Sequence, residues 1–260
     1  MGKLAAGWRI QRRVIGALML RELVTRFGRE NIGFLWIMAE PLLFAGLVGL
    51  VWLFMKGPEM HGVSIFAFVA TGYIPLTLFR HALGRSVRVF SVNGSLLYHR
   101  QIKILDFVLV RFAIEVIGAM MAYLFIALVL GVLGDFPMPA DLGIFLLGWF
   151  LYSWLTLSLV MVLAPLSEKS DLLEKLVPVA TYIMIPFSGS FTMLSWLTDS
   201  AKAALWWSPF IHPMEMMRRG VFGERLDAQW DISVPLTACL LLTFFGLIMC
   251  RRIRRDLVVE

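Results

Sequence analysis

Six apolar runs leave this chain few ways to fold. They fall at about 34–55, 62–79, 108–133, 143–166, 176–197 and 233–250. Each holds roughly 18 to 26 residues, enough for a helix to cross a hydrocarbon core about 30 Å thick. In lipid every backbone N–H and C=O must be paired within the protein, so such runs are read as helices. Composition agrees: 59% of residues are hydrophobic and 16% charged, where a soluble domain is about half apolar and a quarter charged. The expected class is an all-α integral membrane protein. A six-span helical bundle over 34–250 follows an N-terminal amphipathic interfacial helix over 1–33 and precedes a tail over 251–260. The fifth run is the least regular, because Pro178 and Pro186 interrupt it and Ser188-Gly189-Ser190 follows.

The formal net charge of +6 predicts no nucleic-acid partner. In a membrane chain it reads as Lys and Arg gathered in cytoplasmic segments. With both termini inside, residues 1–33, the second and fourth loops and the tail carry 19 of the 24 Lys and Arg. That asymmetry predicts a multi-pass protein with cytoplasmic N and C termini, the RRIRR run at 251–255 holding the tail at the inner surface. Cys239 and Cys250 share the last apolar run and read as packing residues. No metal-ligand spacing is visible, and no short apolar segment with a small-residue cleavage site marks a signal peptide.

The stretch 21–41, RELVTRFGRENIGFLWIMAEP, passes from a basic amphipathic segment straight into the first span. Upstream, Ile10, Val14, Ile15, Leu18, Leu23, Val24 and Phe27 alternate with arginines at helical spacing, which suits a helix lying in the membrane interface. Glu40 and Pro41 sit inside the apolar run. A charge at a span centre costs about 2.5 kcal/mol or more, so an intramembrane Glu is a functional candidate by default. Two readings fit Glu40: a shallow residue capping a local kink, or a residue facing a polar cavity at the cytoplasmic mouth of a substrate path.

Two connections are long. The cytoplasmic one, 80–111, is apolar throughout, and Asn93-Gly94 marks a turn or helix start within it. The external one, 198–232, carries Ile211, Met214, Met217 and Val221 at spacings of 3, 3 and 4, predicting an amphipathic outer or re-entrant helix. No phosphate-cradling G-x-x-x-x-G-K-[ST] is present. Arg111 and Glu115 are expected to pair with each other, four residues apart on one helix. His212 and Glu215 are expected to form a surface hydrogen-bond pair. Trp36, Phe44, Tyr152, Tyr182, Phe187 and Phe191 lie near span ends or beside small polar residues. Ordinary packing accounts for such rings; a sugar path lined by them is the alternative, since sugar rings stack on aromatic faces.

The motif R-E-x-x-T-R-F-G-x-x-x-I-G-F-L-W-x-x-x-E-P over 21–41 resembles the start of ABC-2-type polysaccharide export permeases, in particular the capsular-polysaccharide permeases of Gram-negative bacteria. Asn93-Gly94-Ser95-Leu96-Leu97 before Gln101-Ile102-Lys103 and Asp106 is similar to that family's cytoplasmic loop. Ser208-Pro209-Phe210 through Glu215 and Arg218 is similar to its external re-entrant region, with Ser-Pro where Asn-Pro is commoner. The resemblance covers nearly the whole chain. It implies an ABC-2, type V exporter-like fold with external re-entrant helices and no enzymatic activity in this chain. It implies a homodimer with two ATP-binding subunits, ATP and Mg being bound by those partners. It also implies a lipid-linked polysaccharide cargo, a periplasmic polysaccharide copolymerase and an outer-membrane export channel. By position, residues 92–101, with Asn93, Ser95, Leu96, Leu97, Tyr98 and Arg100, are the expected ATPase-coupling segment. Arg26 and Arg29 are the expected contacts of the lipid-anchor phosphate, and Trp36, Glu40, Phe44, Tyr152, Tyr182, Phe187 and Phe191 the expected path. O-antigen or teichoic-acid cargo, or an enzyme acting on lipid-linked sugars, are the alternatives.

Overall fold

A computed structural model describes residues 2–28, 33–98 and 101–257. The helices in chain order are α1 (Gly2–Phe27), α2 (Gly33–Lys56), α3 (Ile65–Ser86), α4 (Ile104–Val132), α5 (Leu142–Lys169), α6 (Asp171–Ile183), α7 (Asp199–Leu205), α8 (Ile211–Phe222) and α9 (Ser233–Leu257). A two-residue hairpin, β1 (Glu59–Met60) with β2 (Val63–Ser64), joins α2 to α3, and a 3-10 segment, Ser91–Tyr98, lies between α3 and α4. Among the described residues, five helices are long and apolar enough to cross a membrane: Met38–Lys56, Ile65–Ser86, Ile104–Val132, Leu142–Lys169 and Ser233–Ile253.

The expected fifth span differs from the observed chain. Helix α6 starts earlier than predicted and stops at Ile183 after 13 residues, a rise of about 20 Å at 1.5 Å per residue. Pro186 has no N–H to continue the helix. Three residues later Gly189 takes φ +69, a left-handed conformation that glycine adopts without steric cost. Short 3-10 turns, Pro186–Ser188 and Leu194–Trp196, carry the chain on to α7. Helix α3 runs seven residues past its predicted end at 79, to Ser86, so the predicted loop 80–111 is largely helix ends flanking the 3-10 segment.

Helix α3 is the axis of the bundle: Phe68, Ile74, Leu76 and Leu78 are buried, and it packs on α2, α4, α5 and α6. Helix α5 packs along α9 and against α8. Close approach makes that second contact. A Cβ on Gly220 of α8 would meet the Phe145 backbone N at 2.5 Å. Helix α1 packs on α4 and α2 at the opposite end of the bundle from α8, with Leu18 in the core.

Candidate functional site

Seven rings form a column along α2, α3 and the irregular segment after α6. From one end, Phe44 stacks on Tyr73 at 6.3 Å, and Tyr73 lies 6.3 Å from Phe191. Phe191 is 5.7 Å from Trp52, which stacks on Phe68 at 6.5 Å. Phe68 is 4.9 Å from Trp196, and His61 of the hairpin turn stacks on Trp196 at 4.3 Å. Two of the sequence-selected rings, Phe44 and Phe191, thus belong to one cluster, with the buried Tyr73 between them. Tyr182 lies beside the column, its ring under the Arg80 guanidinium at 4.3 Å. Phe187 is half-exposed, and its carbonyl accepts from Ser208 Oγ at 2.6 Å. Tyr152 joins none of them: it is buried in the core, edge-on to Phe210 at 5.4 Å. Trp36 lies on α2, with its side chain outside the described residues. Sequence reading missed Trp52, Phe68, Tyr73 and Trp196 as partners, because rings from α2, α3 and residues 189–196 meet only through the tertiary fold.

At the α1 end of the column the polar groups converge. Glu40 Oε1 lies 3.2 Å from His81 Nε2, and the other ring nitrogen lies 3.6 Å from Glu115 Oε2. Glu115 is 3% exposed, pairs with Arg26 of α1, and has Arg85 Nε at 3.8 Å. The expected Arg111–Glu115 pair is therefore corrected. Arg111 Nε pairs with Glu22 at 3.1 Å and its Nη1 donates to the Arg85 carbonyl at 2.9 Å. An exposed i,i+4 pair is worth only a few tenths of a kcal/mol, and α1, packed across α4, offers both residues other partners. Arg29, the second expected phosphate contact, lies outside the described residues.

The expected coupling segment is a short helical element. Asn93 is buried and kinks it (φ −108, ψ 15). The Asn93 side-chain amide donates to the Val89 carbonyl at 2.8 Å, and its oxygen accepts from Arg21 Nη1 at 2.9 Å. Asn93 thus ties the element to α1 and shapes it, whereas Ser95 and Val92 are exposed. Leu96 and Leu97 pack partly against the core. A groove of about 470 Å³ opens between α1 and this region, bordered by Leu18, Arg21, Leu96 and Gln101. The Tyr98 side chain and Arg100 lie outside the described residues.

The amphipathic helix predicted from Ile211, Met214, Met217 and Val221 is α8, and all four are buried. Its polar face is buried as well, which corrects the expected surface pair. His212 donates from Nε2 to the Trp206 carbonyl (2.8 Å) and accepts at Nδ1 from Asp231 N–H (3.1 Å), a neutral tautomer. Burial lowers its pKa. Glu215 accepts from the amides of Leu194 (2.9 Å) and Gln229 (3.0 Å). Burial pushes Glu215 up to about 7, against those two amides and Arg218, which favour the anion. Arg218 is fully buried and donates to the carbonyls of Gly189, Thr192 (both 2.7 Å) and Ser190 (2.5 Å). Its guanidinium also lies 4.0 Å from the centre of the Phe68 ring. Both side chains hold residues 189–194 against α3, so the column's Phe191 is positioned from α8. Among the described residues, no group of three or more His, Cys, Asp or Glu is arranged to hold a metal ion.

A bundle of apolar helices long enough to cross a membrane, with a broken helix held by buried Glu215 and Arg218 and a helical element between α3 and α4, defines an integral membrane protein. Residues 13–222 match the ABC-2 type transporter family, and the chain belongs to that family. It is 38% identical over 240 residues to the capsule polysaccharide export inner-membrane protein CtrC of Neisseria meningitidis, covering 92% of this chain and 91% of that one. It is 34% identical over 248 residues to the capsule polysaccharide export inner-membrane protein BexB of Haemophilus influenzae, covering 95% and 94%. Similarity extends to the polysialic acid transport protein KpsM of Escherichia coli, 24% identical over 250 residues and 95% of each chain.

Proposed function

We propose that this chain is the membrane-spanning subunit of an ATP-driven exporter that moves lipid-linked capsular polysaccharide across the inner membrane. The observation that carries this is end-to-end similarity, 38% over 92% of the chain, to a protein named for capsule polysaccharide export. The working unit is a homodimer with two ATP-binding subunits, which bind ATP and Mg. Apolar side chains exposed on α2 (Leu43, Leu47, Leu50) and α6 (Leu172, Leu176, Val179) supply faces for a second copy. The termini are cytoplasmic. A periplasmic copolymerase and an outer-membrane channel complete the route.

The polymer passes along the aromatic column, with Trp36, Glu40, Phe44, Tyr182, Phe187 and Phe191 on the path. Flat rings suit sugars, whose apolar faces stack while hydroxyls find polar partners. The anchor phosphate is drawn by Arg26 and Arg29 through charge-assisted hydrogen bonds, competing with Glu115 for Arg26. The Ser91–Tyr98 element docks the ATPase through Ser95, Leu96, Leu97, Tyr98 and Arg100, and Asn93 holds its shape.

Deleting the gene and locating the polysaccharide tests the export reading. Polymer accumulating in the cytoplasm supports it, while loss of polymer points to synthesis instead. Leu96→Asp with Leu97→Asp is expected to abolish ATPase co-purification; retained co-purification would reject the docking assignment.

A further inference from the structure

The chain just before the 3-10 segment is gripped from the elbow between α5 and α6. Glu168, near the end of α5, accepts at Oε1 from the backbone amides of Phe90 (2.8 Å) and Ser91 (3.2 Å). Ser167 Oγ accepts from the Arg88 amide at 3.1 Å. The Arg88 side chain turns the other way and pairs with both acids in the first turn of α6: Asp171, and Glu174 at 2.9 Å from Nε. Val89 and Phe90 are fully buried and fix the same residues in the core. Arg88 holds φ +49, a left-handed conformation that a non-glycine residue keeps only where its surroundings over-determine it. Four consecutive residues, 88–91, are thereby joined to α5 and α6 by three backbone donors and two ion pairs.

From this geometry we propose that Arg88 and Glu168 are positioning residues that carry movement of the Ser91–Tyr98 element into α6. The inference rests on the reading that this element docks the ATPase. Three features point to α6 as the recipient. It is short, broken after Ile183, and leads into the segment that holds Phe187 and Phe191. It meets Arg88 with two acids at its N-terminus, where negative charge also complements the helix dipole. The ion pairs are largely exposed, Asp171 at 85% and Glu174 at 42%, and exposed pairs add little stability. Their effect is to fix orientation between two elements. A push on 91–98 therefore reaches α6 directly through Arg88, without first displacing the buried α3 axis.

The test uses the full complex in proteoliposomes or cells, with Arg88→Ala, Glu168→Ala and Asp171→Asn/Glu174→Gln. Arg88→Gly accompanies them, since glycine accepts φ +49 without strain and isolates the side-chain effect. Expected are normal membrane levels, normal ATPase co-purification, ATP hydrolysis within about twofold of the parent, and export per ATP reduced fivefold or more. Arg88→Lys should restore part of the loss, because one ammonium can meet one of the two acids. Unchanged export per ATP in Arg88→Gly and in the double acid variant overturns the proposal. So does loss of ATPase co-purification in them, which would make the ion pairs part of the dock. The docking reading fails separately, if Leu96→Asp/Leu97→Asp keeps the ATPase bound.

Discussion

Arg26 of α1 is paired with Glu115 of α4 across 89 residues of sequence, and Glu115 is 3% exposed. Removing one partner of a buried pair leaves an uncompensated charge and costs about 3–5 kcal/mol. Glu115→Ala and Arg26→Ala should therefore each lower thermal stability in nanodiscs, with Glu115→Ala the costlier because it leaves Arg26 and Arg85 without their shared carboxylate. The double change Arg26→Met/Glu115→Leu should recover most of the loss, since apolar replacement of a buried pair is often neutral. Additive losses in the double variant would show that the two residues act independently.

A Cβ on Gly72 would lie 1.9 Å from the Ser190 carbonyl oxygen and 2.7 Å from Arg218 Nη2. Gly72→Ala should cost about 1–3 kcal/mol or more, the usual range for overpacking, and should displace residues 189–194. The level of folded protein in the membrane and protease protection of that segment measure this. Wild-type protection would count against tight packing here.

Glu215 provides a pH dependence with a definite sign. Its pKa, raised to about 7, lies above the ordinary value of about 4.3, so the folded state binds its proton more tightly. Stability from this group is fully present below about pH 4 and is lost as pH rises through 7. The full change is about 3–4 kcal/mol, at 1.36 kcal/mol for each pH unit between the two values. Unfolding measured from pH 5 to 8 should show this slope in the parent and a flatter profile in Glu215→Gln. Parallel profiles would assign the slope to other groups.

Phe191 joins Tyr73 to Trp52 in the ring column. Phe191→Ala should leave membrane levels near normal, because the side chain is only partly buried, yet reduce polymer export several-fold. Phe191→Tyr, which keeps the ring, should export near the parent rate. Equal export by the alanine variant would remove Phe191 from the path.

Much of this architecture was legible because lipid imposes a length rule. Runs of about 20 apolar residues fall on α2, α3, α4, α5 and α9, with α3 and α9 each running seven residues past the expected end, to Ser86 and Leu257. The same rule gives no sign of the helix end within 176–197, where apolar composition continues although the backbone leaves the helix at Ile183. Spacing found the buried apolar face of α8 but not its buried polar groups. His212, Glu215 and Arg218 look like a solvated face until the partners that satisfy them, at 189–194, 206, 229 and 231, are in place. Glu40 was conspicuous as an acid in an apolar run, and Glu115 as an expected partner of Arg111. Their shared partner His81 was not, because one histidine at a helix end carries no spacing signal. Asn93 was visible as a turn former, and its buried role follows only from the approach of Arg21.

The break after Ile183 leaves backbone groups without the repeating partners of a helix. Arg218 takes three of the orphaned carbonyls and Glu215 one of the amides. Two side chains on α8 thus perform the office of a missing helical turn, addressing chiefly the main chain of 189–194. The specification of that segment is therefore written elsewhere, at positions 215 and 218. Within the break the Ser188 and Ser190 hydroxyls bond each other and Met193 and Leu194 are buried, yet exchanging Arg218 for lysine would leave carbonyls unserved and change the path of a stretch it never adjoins in sequence.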